Sequence, residues 1–386
     1  MSICRTLWGA IAVAVVGAHL KWLRVTALTS IPIAASLHPV PHPQIQKKLI
    51  GLVAFSFLAP LAGANEASWL ELDQDIASLS PMAAVAGEGL AVSGYIKNYY
   101  MSDSDANTGG WGFNAVRVNI VGSVEDVAVK VSWDMKSGSL VLKDAYARWD
   151  AMDNMAVTWG QFKRPFLHSF TTSSNKLLFI STTANAANEA RDNGVMLNGN
   201  IAEMGTWQVA ATNGADLATD ENYYTARAAF TVMGAGGFNS LEGGRGSSDG
   251  TNASIGISYA EENGATFEGD KLGIELAGNL DAIFFHLDMV QYDDTFAGLD
   301  TNLGTALADT SPMGITLSYM LDDNMEVAAR HEDFDDVDSS TRLSLAFNYY
   351  SVLPNKMMWQ INYSDISSDD TLLEAQLLQL GLTLSF

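Results

Sequence analysis

Few residues in this sequence of 386 are spaced for bond-making chemistry. Asp103-Ser104-Asp105-Ala106-Asn107-Thr108-Gly109 begins like a calcium loop. Its glycine falls one place late, however, and the twelfth position is Asn114 where a bidentate glutamate is needed. A solvated acidic loop, with at most weak Ca²⁺ or Mg²⁺ association, is the simpler reading here and at Asp333–Asp338. His168, His286 and His331 are too scattered to suggest a metal site. No nucleophile elbow or Ser/His/acid grouping supports a hydrolase. Gly234–Gly250 lacks the Lys-Ser/Thr ending of a phosphate-binding loop and is taken as a flexible loop. The sequence therefore predicts no catalytic residue, no metal and no cofactor, and leaves charge as the main functional chemistry.

The elements that must position those charges have a period of two. In the closing stretch, Leu378, Leu380, Leu382, Leu384 and Phe386 share one strand face, while Gln379, Gly381, Thr383 and Ser385 share the other. Similar alternation recurs from residue 89 onward in candidate strands 89–101, 112–124, 126–136, 139–150, 154–163, 193–202, 205–213 and 222–233. It continues in 251–261, 269–278, 280–292, 311–321, 324–333, 340–351, 356–365 and 374–386. Val127, Val129, Val131 and Trp133 oppose Lys130, Ser132 and Asp134; Trp359, Ile361 and Tyr363 oppose Gln360, Asn362 and Ser364. Strand 139–150 is ambiguous, because it places Lys143 on the outward face.

Tight turns such as Glu125-Asp126 and Asp322-Asp323-Asn324 roughly alternate with longer loops, Asp103–Gly110, Gly234–Gly250 and Tyr292–Pro312 among them. Aromatics gather near strand ends, as at Tyr99-Tyr100, Trp111, Trp149, Tyr223-Tyr224 and Tyr349-Tyr350. An even strand number, apolar-out alternation and aromatic girdles together predict an all-β fold, a transmembrane antiparallel β-barrel of 16 strands. A soluble β-adhesin or β-helix is the alternative, but no repeat of fixed length supports it.

On the predicted inward faces lie Lys97, Arg117, Lys130, Arg148, Arg227, Lys271, Arg330 and Arg342, with Asp134, Asp144, Glu275, Asp288, Glu326 and Glu332. Most other acids fall in loops. Counter-ions screen charge over about 8 Å at physiological salt, so wall charge outweighs distant loop charge for a permeating ion.

Lys+Arg number 21 against Asp+Glu 44, a net charge of −23, which disfavours nucleic acid as a partner. No acid precedes Glu66, whereas Arg5, Lys21, Arg24, Lys47 and Lys48 do. Lys47-Lys48, the apolar run Leu49–Leu61 and Ala62-Gly63-Ala64 have the order of a signal peptide cleaved before Asn65. Cys4, the single cysteine, would leave with it, as suits export to an oxidising compartment. Residues 1–64 are thus expected to be an N-terminal extension and signal peptide, 65–88 a short periplasmic lead-in, and 89–386 the barrel.

Gly160–Phe166 (GQFKRPF), Ser173–Ile180 (SSNKLLFI) and Arg191–Gly199 (RDNGVMLNG) resemble the signature block of the phosphate-selective porin family of the O/P type. Asn348–Ser364 and the ending QLLQLGLTLSF resemble that family's last three strands, while about 234–310 match poorly. The resemblance implies a homotrimeric outer-membrane porin embedded in lipid and lipopolysaccharide of a Gram-negative bacterium. It also implies an inward loop over Phe166–Arg191 that narrows the lumen, with Lys163, Arg164, Lys176 and Arg191 around it. With Arg117, Lys130, Arg148 and Arg227 these are the expected pore-lining residues. The expected function is passive diffusion of small hydrophilic solutes with a phosphate or anion preference; the low lysine content departs from the family. A general or cation-preferring pore and a surface-exposed binding β-protein without a channel are the alternatives.

Overall fold

The computed structural model describes residues 90–386, apart from 203, 215–221, 235–237, 239–240, 247–250, 264–267, 294–300, 303–304 and 352–355. The predicted boundaries at 64 and 88 lie outside the described residues. The first eight strands are β1 (Leu90–Asp103), β2 (Thr108–Val124), β3 (Val127–Asp134), β4 (Val141–Met152), β5 (Met155–Lys163), β6 (Arg191–Ile201), β7 (Gly205–Thr212) and β8 (Asn222–Met233). Then come β9 (Thr251–Asn263), β10 (Glu268–Leu280), β11 (Ile283–Tyr292), and a small hairpin of β12 (Thr301–Asn302) and β13 (Thr305–Ala306). The last five are β14 (Met313–Asp322), β15 (Met325–Asp333), β16 (Thr341–Tyr350), β17 (Met357–Ser367) and β18 (Ala375–Ser385).

Apart from β12 and β13, each strand pairs antiparallel with its neighbours, and β18 pairs with β1 to close a ring of 16 strands. Closure has a physical origin. Hydrocarbon offers no hydrogen-bond partner, so an open edge at membrane depth would leave a row of unpaired N–H and C=O groups. Here the seam is completed by the last residue: Gly94 N–H donates to the Phe386 carbonyl at 3.1 Å, and Phe386 N–H donates to the Gly94 carbonyl at 2.9 Å. Gly94 also makes room for the terminal ring, because a Cβ there would sit 2.5 Å from Phe386 Cζ.

The alternation lies as the sequence predicts. Leu378, Leu380, Leu384 and Phe386 are exposed on the outside, as are Leu317, Leu345, Trp359 and Ile361. Gln360, Asn362, Ser344 and Thr383 are buried on the inside. The tyrosine pairs split, with Tyr224 and Tyr349 facing out and Tyr223 and Tyr350 facing in. The uncertainty at Lys143 has a local cause. The β3–β4 register breaks between Val131 and Trp133, opposite Leu142–Ala145, so Lys143 falls within a bulge.

Asp103–Gly110 is shorter than a long loop. β1 and β2 run on to Asp103 and Thr108, and the Asp103 carboxylate accepts the N–H groups of Asp105 (3.0 Å) and Ala106 (3.1 Å) as a turn cap.

Placing a guanidinium on the lipid face tests this orientation. Leu380, on β18, pairs with Tyr100 and Ile361 on its neighbours. Leu380→Arg is expected to destabilise the barrel, by about 2–4 kcal/mol if that site lies near the bilayer midplane. Reversible urea unfolding in lipid vesicles measures this; an unchanged midpoint would contradict the assignment.

Candidate pore and constriction

Pro165 cannot donate to a ladder, and β5 stops just before it, at Lys163. The chain then leaves the wall until β6. Between them are two single-turn helices, α1 (His168–Thr171) and α2 (Ala184–Ala187), and a 3₁₀ turn over Ser174–Lys176. Nearly all of this loop's backbone lacks a strand partner, so its N–H and C=O groups need partners from elsewhere. The polar inner wall supplies them.

At one side, Ser258 on β9 donates to the Phe166 carbonyl, and Glu275 on β10 accepts the N–H groups of His168 (2.6 Å) and Ser169 (3.2 Å). Across the ring, Lys97 on β1 donates to the carbonyls of Ser174 (3.0 Å) and Phe179 (3.2 Å). Between these lie Asn348 on β16 and Gln360 on β17, both donating to Leu178 O, and Asn362, which accepts the Ile180 N–H at 2.7 Å. Glu332 on β15 accepts the Ala184 N–H at 2.7 Å. β1 and β9 are eight places apart in the ring, hence diametrically opposite, so the loop crosses the lumen.

Apolar side chains fix it further. Phe166 and Leu167 pack with Tyr223, Val290, Tyr292 and Leu307, while Leu178 and Phe179 pack with Ala277, Phe284, Ala328 and Ala346. Wall cations stack on these rings: Arg330 lies 4.1 Å from the Phe179 centroid and Lys271 lies 4.9 Å from that of Phe166.

The loop's contacts thus run along the arc from β8 through β18 to β1. Under it, Lys97, Glu275, Asn348 and Gln360 are buried. From β2 to β7, the inward Arg117, Asn119, Lys130, Tyr146 and Gln208 stay partly exposed, while Ser132, Asp134, Asp144, Thr158, Asn198 and Thr212 are buried. Open lumen therefore lies on that second arc, chiefly along β2–β4.

The predicted lining residues fall into separate groups. Arg117, Lys130 and Arg191 converge on two carboxylates: Arg117 lies 3.1 Å from Asp134, and Arg191 and Lys130 lie 2.6 Å and 3.7 Å from Asp144. In both groups the cation is the more exposed member, 12% for Arg117 over 3% for Asp134, and 15–16% for Arg191 and Lys130 over 7% for Asp144. Arg148 is set toward the short-turn mouth and pairs with Asp150 at 2.8 Å.

The others lie in or under the loop. Lys163 donates to the carbonyls of Phe170, Thr171 and Thr172 (2.6–3.0 Å), so it caps the C-terminal end of α1. Arg164 lies over the Tyr223 ring at 4.0 Å and 3.7 Å from Glu189, which also accepts from Lys271 at 2.7 Å. Arg227 is buried against Glu275 at 2.9 Å, and Lys176 closes the 3₁₀ turn. Two residues with structural consequence, Glu189 and Glu242, have no signal in the strand period because both sit in connections.

The sequence model of the family described as phosphate-selective porin O and P matches residues 116–266. That stretch is similar to the family. It includes β3–β9, the crossing loop and the Gly160–Gly199 block, while β10 and the strands after it lie beyond. Solved outer-membrane channels share the fold. The anion-selective porin from Comamonas acidovorans superposes with TM-score 0.54 at 12% identity, covering 77% of this chain and 99% of that one. The outer-membrane channel DcaP of Acinetobacter baumannii gives 0.52 at 15%, covering 77% and 98%. A loop-deletion form of OmpT from Vibrio cholerae gives 0.55 at 10%, covering 77% and 99%. No curated protein sequence matches the chain. The chain has the fold of these channels, a closed antiparallel barrel of 16 strands.

Glu275 carries the sharpest test of how this porin barrel holds its loop. Glu275→Ala removes the acceptor of two loop amides and leaves the buried Arg227 without its carboxylate. Breaking a buried pair in this way costs about 3–5 kcal/mol. Urea titration of the folded barrel should show a loss of that order, and a loss under 1 kcal/mol would contradict the burial described.

Proposed function

We propose that this chain is a passive channel for small hydrophilic solutes, with a preference for small anions such as phosphate. The observation that carries the preference is the order of charges on β2–β4 and at the start of β6. Arg117, Lys130 and Arg191 overlie Asp134 and Asp144, so the cations face the open lumen and the carboxylates lie behind them. A permeating ion within a few ångströms of that wall meets the guanidinium and ammonium groups first, and their field favours anions.

Width is set by the crossing loop, since it fills the arc from β8 to β1 and confines solutes to the other. Lys163 and Arg164 act by fixing that loop, while Arg117, Lys130 and Arg191 line the passage. Permeation involves no bond making, and no cofactor is assigned. The apolar belt sits in outer-membrane lipid with lipopolysaccharide around the outer rim, and the functional unit is a homotrimer. Residues 1–64 are an export segment removed at the membrane, and 65–88 a periplasmic lead-in.

A second reading, a cation-preferring pore, draws on the net charge of −23 and the Asp-rich loops. The two differ in sign. Reconstituted into planar bilayers under a KCl gradient, the protein should give stepwise conductance with a reversal potential displaced to the chloride side. The conductance should persist when phosphate replaces chloride. A displacement to the potassium side would establish the cation reading, and absence of steps would end the channel reading.

A further inference from the structure

At the mouth where β1 begins and β18 ends, most connections are two-residue turns, as at 125–126, 153–154, 281–282 and 323–324. The β8–β9 connection at the same mouth spans 234–250, and its described part runs into the lumen. There it reaches the crossing loop, which starts from the opposite mouth.

Glu242 makes the junction twice. Its N–H donates to the Lys176 carbonyl at 3.1 Å, and its Oε2 accepts the Leu178 N–H at 2.9 Å. Its Oε1 lies 3.6 Å from Arg330 Nη2 on the wall. The next residues are seated on that wall. Gly244 N–H donates to Glu326 Oε1 at 2.7 Å, and Asn279 donates to the Gly243 carbonyl at 3.3 Å. Gly243 has φ +110°, and a Cβ there would come within 2.7 Å of both Leu178 Cδ2 and Glu326 Oε1. Only glycine lets the chain lie this close. Phe238 stacks on His168 at 4.8 Å, and Arg245 lies over Tyr350 at 4.0 Å.

We propose that residues 241–246 of this connection are a second constriction element, inserted from the mouth opposite to the crossing loop, and that Glu242 is the positioning residue that holds the loop over Lys176–Leu178. The assignment rests on the channel reading for its effect on conductance, but not for its effect on the loop. Two-sided support explains how a loop with single-turn helices can keep a fixed outline in a wet lumen: at Leu178 the wall holds the carbonyl through Asn348 and Gln360, and Glu242 holds the N–H. Removing the Glu242 carboxylate takes away the loop-side partner of the Leu178 N–H and loosens Lys176–Phe179 against the wall.

Hydrogen exchange of the detergent-folded barrel and single-channel recording test this together, on wild type, Glu242→Ala, Glu242→Gln and Gly243→Val. Losing this hydrogen bond should speed exchange at Leu178 about ten-fold in Glu242→Ala, with β-strand amides unchanged. The same variant should show larger conductance with rapid open-state fluctuation, and Gly243→Val should match it. Glu242→Gln keeps an acceptor for the Leu178 N–H and should exchange near the wild-type rate. Unchanged exchange in Glu242→Ala, or Gln exchanging as fast as Ala, would overturn the positioning role. Unchanged conductance in Glu242→Ala, with wild type conducting, would overturn the constriction role and leave the channel reading intact. A wild type without current would refute the channel reading, and exchange at Leu178 would still decide whether Glu242 holds the loop.

Discussion

Every backbone N–H and C=O placed at membrane depth must find a partner within the protein, and this single constraint organises the molecule. It closes the wall, because β18 has to pair with β1, and Phe386 completes the seam against Gly94. It also governs the interior. A crossing loop with no strand partners along most of its length is tolerated only where side chains satisfy it, and here Lys97, Asn348, Gln360, Asn362, Glu275 and Glu332 do so from the wall. The polar inner face is therefore two surfaces. One arc is a scaffold for the loop, and the other is wetted lumen.

The same division sorts the charges. Under the loop, cations are buried against carboxylates and aromatic rings, as with Arg227 and Glu275, Lys271 and Glu189, and Arg330 and Phe179. Such pairs fix position and contribute little field to the lumen. Along β2–β4, Arg117 and Lys130 remain accessible above their acids. An overall charge of −23 and an anion-attracting passage are compatible, because an ion in the passage feels the nearest wall charges most and screening weakens those farther away.

The wall was largely legible from sequence, since a half-buried period of two tells which side chains turn inward. Each of the sixteen predicted strands has its counterpart, and inward bases such as Lys271 and Arg330 lie on the inner face. The extent of the loop over Phe166–Arg191 was legible as a long non-alternating stretch, and its inward course only through the family resemblance. Three things were not. A polar inward residue has the same pattern whether it meets water or a loop backbone, so Gln360 could not be told from Asn119. The Gly-rich connection after β8 looked like a flexible loop because glycine serves both freedom and close approach; at Gly243 it serves close approach. Lys143 was unreadable for a third reason, a bulge that shifts the register by one.

The division of the lumen into a covered and an open arc is the claim on which width and selectivity both depend. It is tested most directly by cysteine access in a background with Cys4 replaced. A charged, water-soluble thiol reagent added during bilayer recording should reduce the current through Asn119→Cys on β2 within seconds of mixing, and leave Ser344→Cys on β16 unaffected. Equal block at both positions, or block at Ser344→Cys alone, would contradict it.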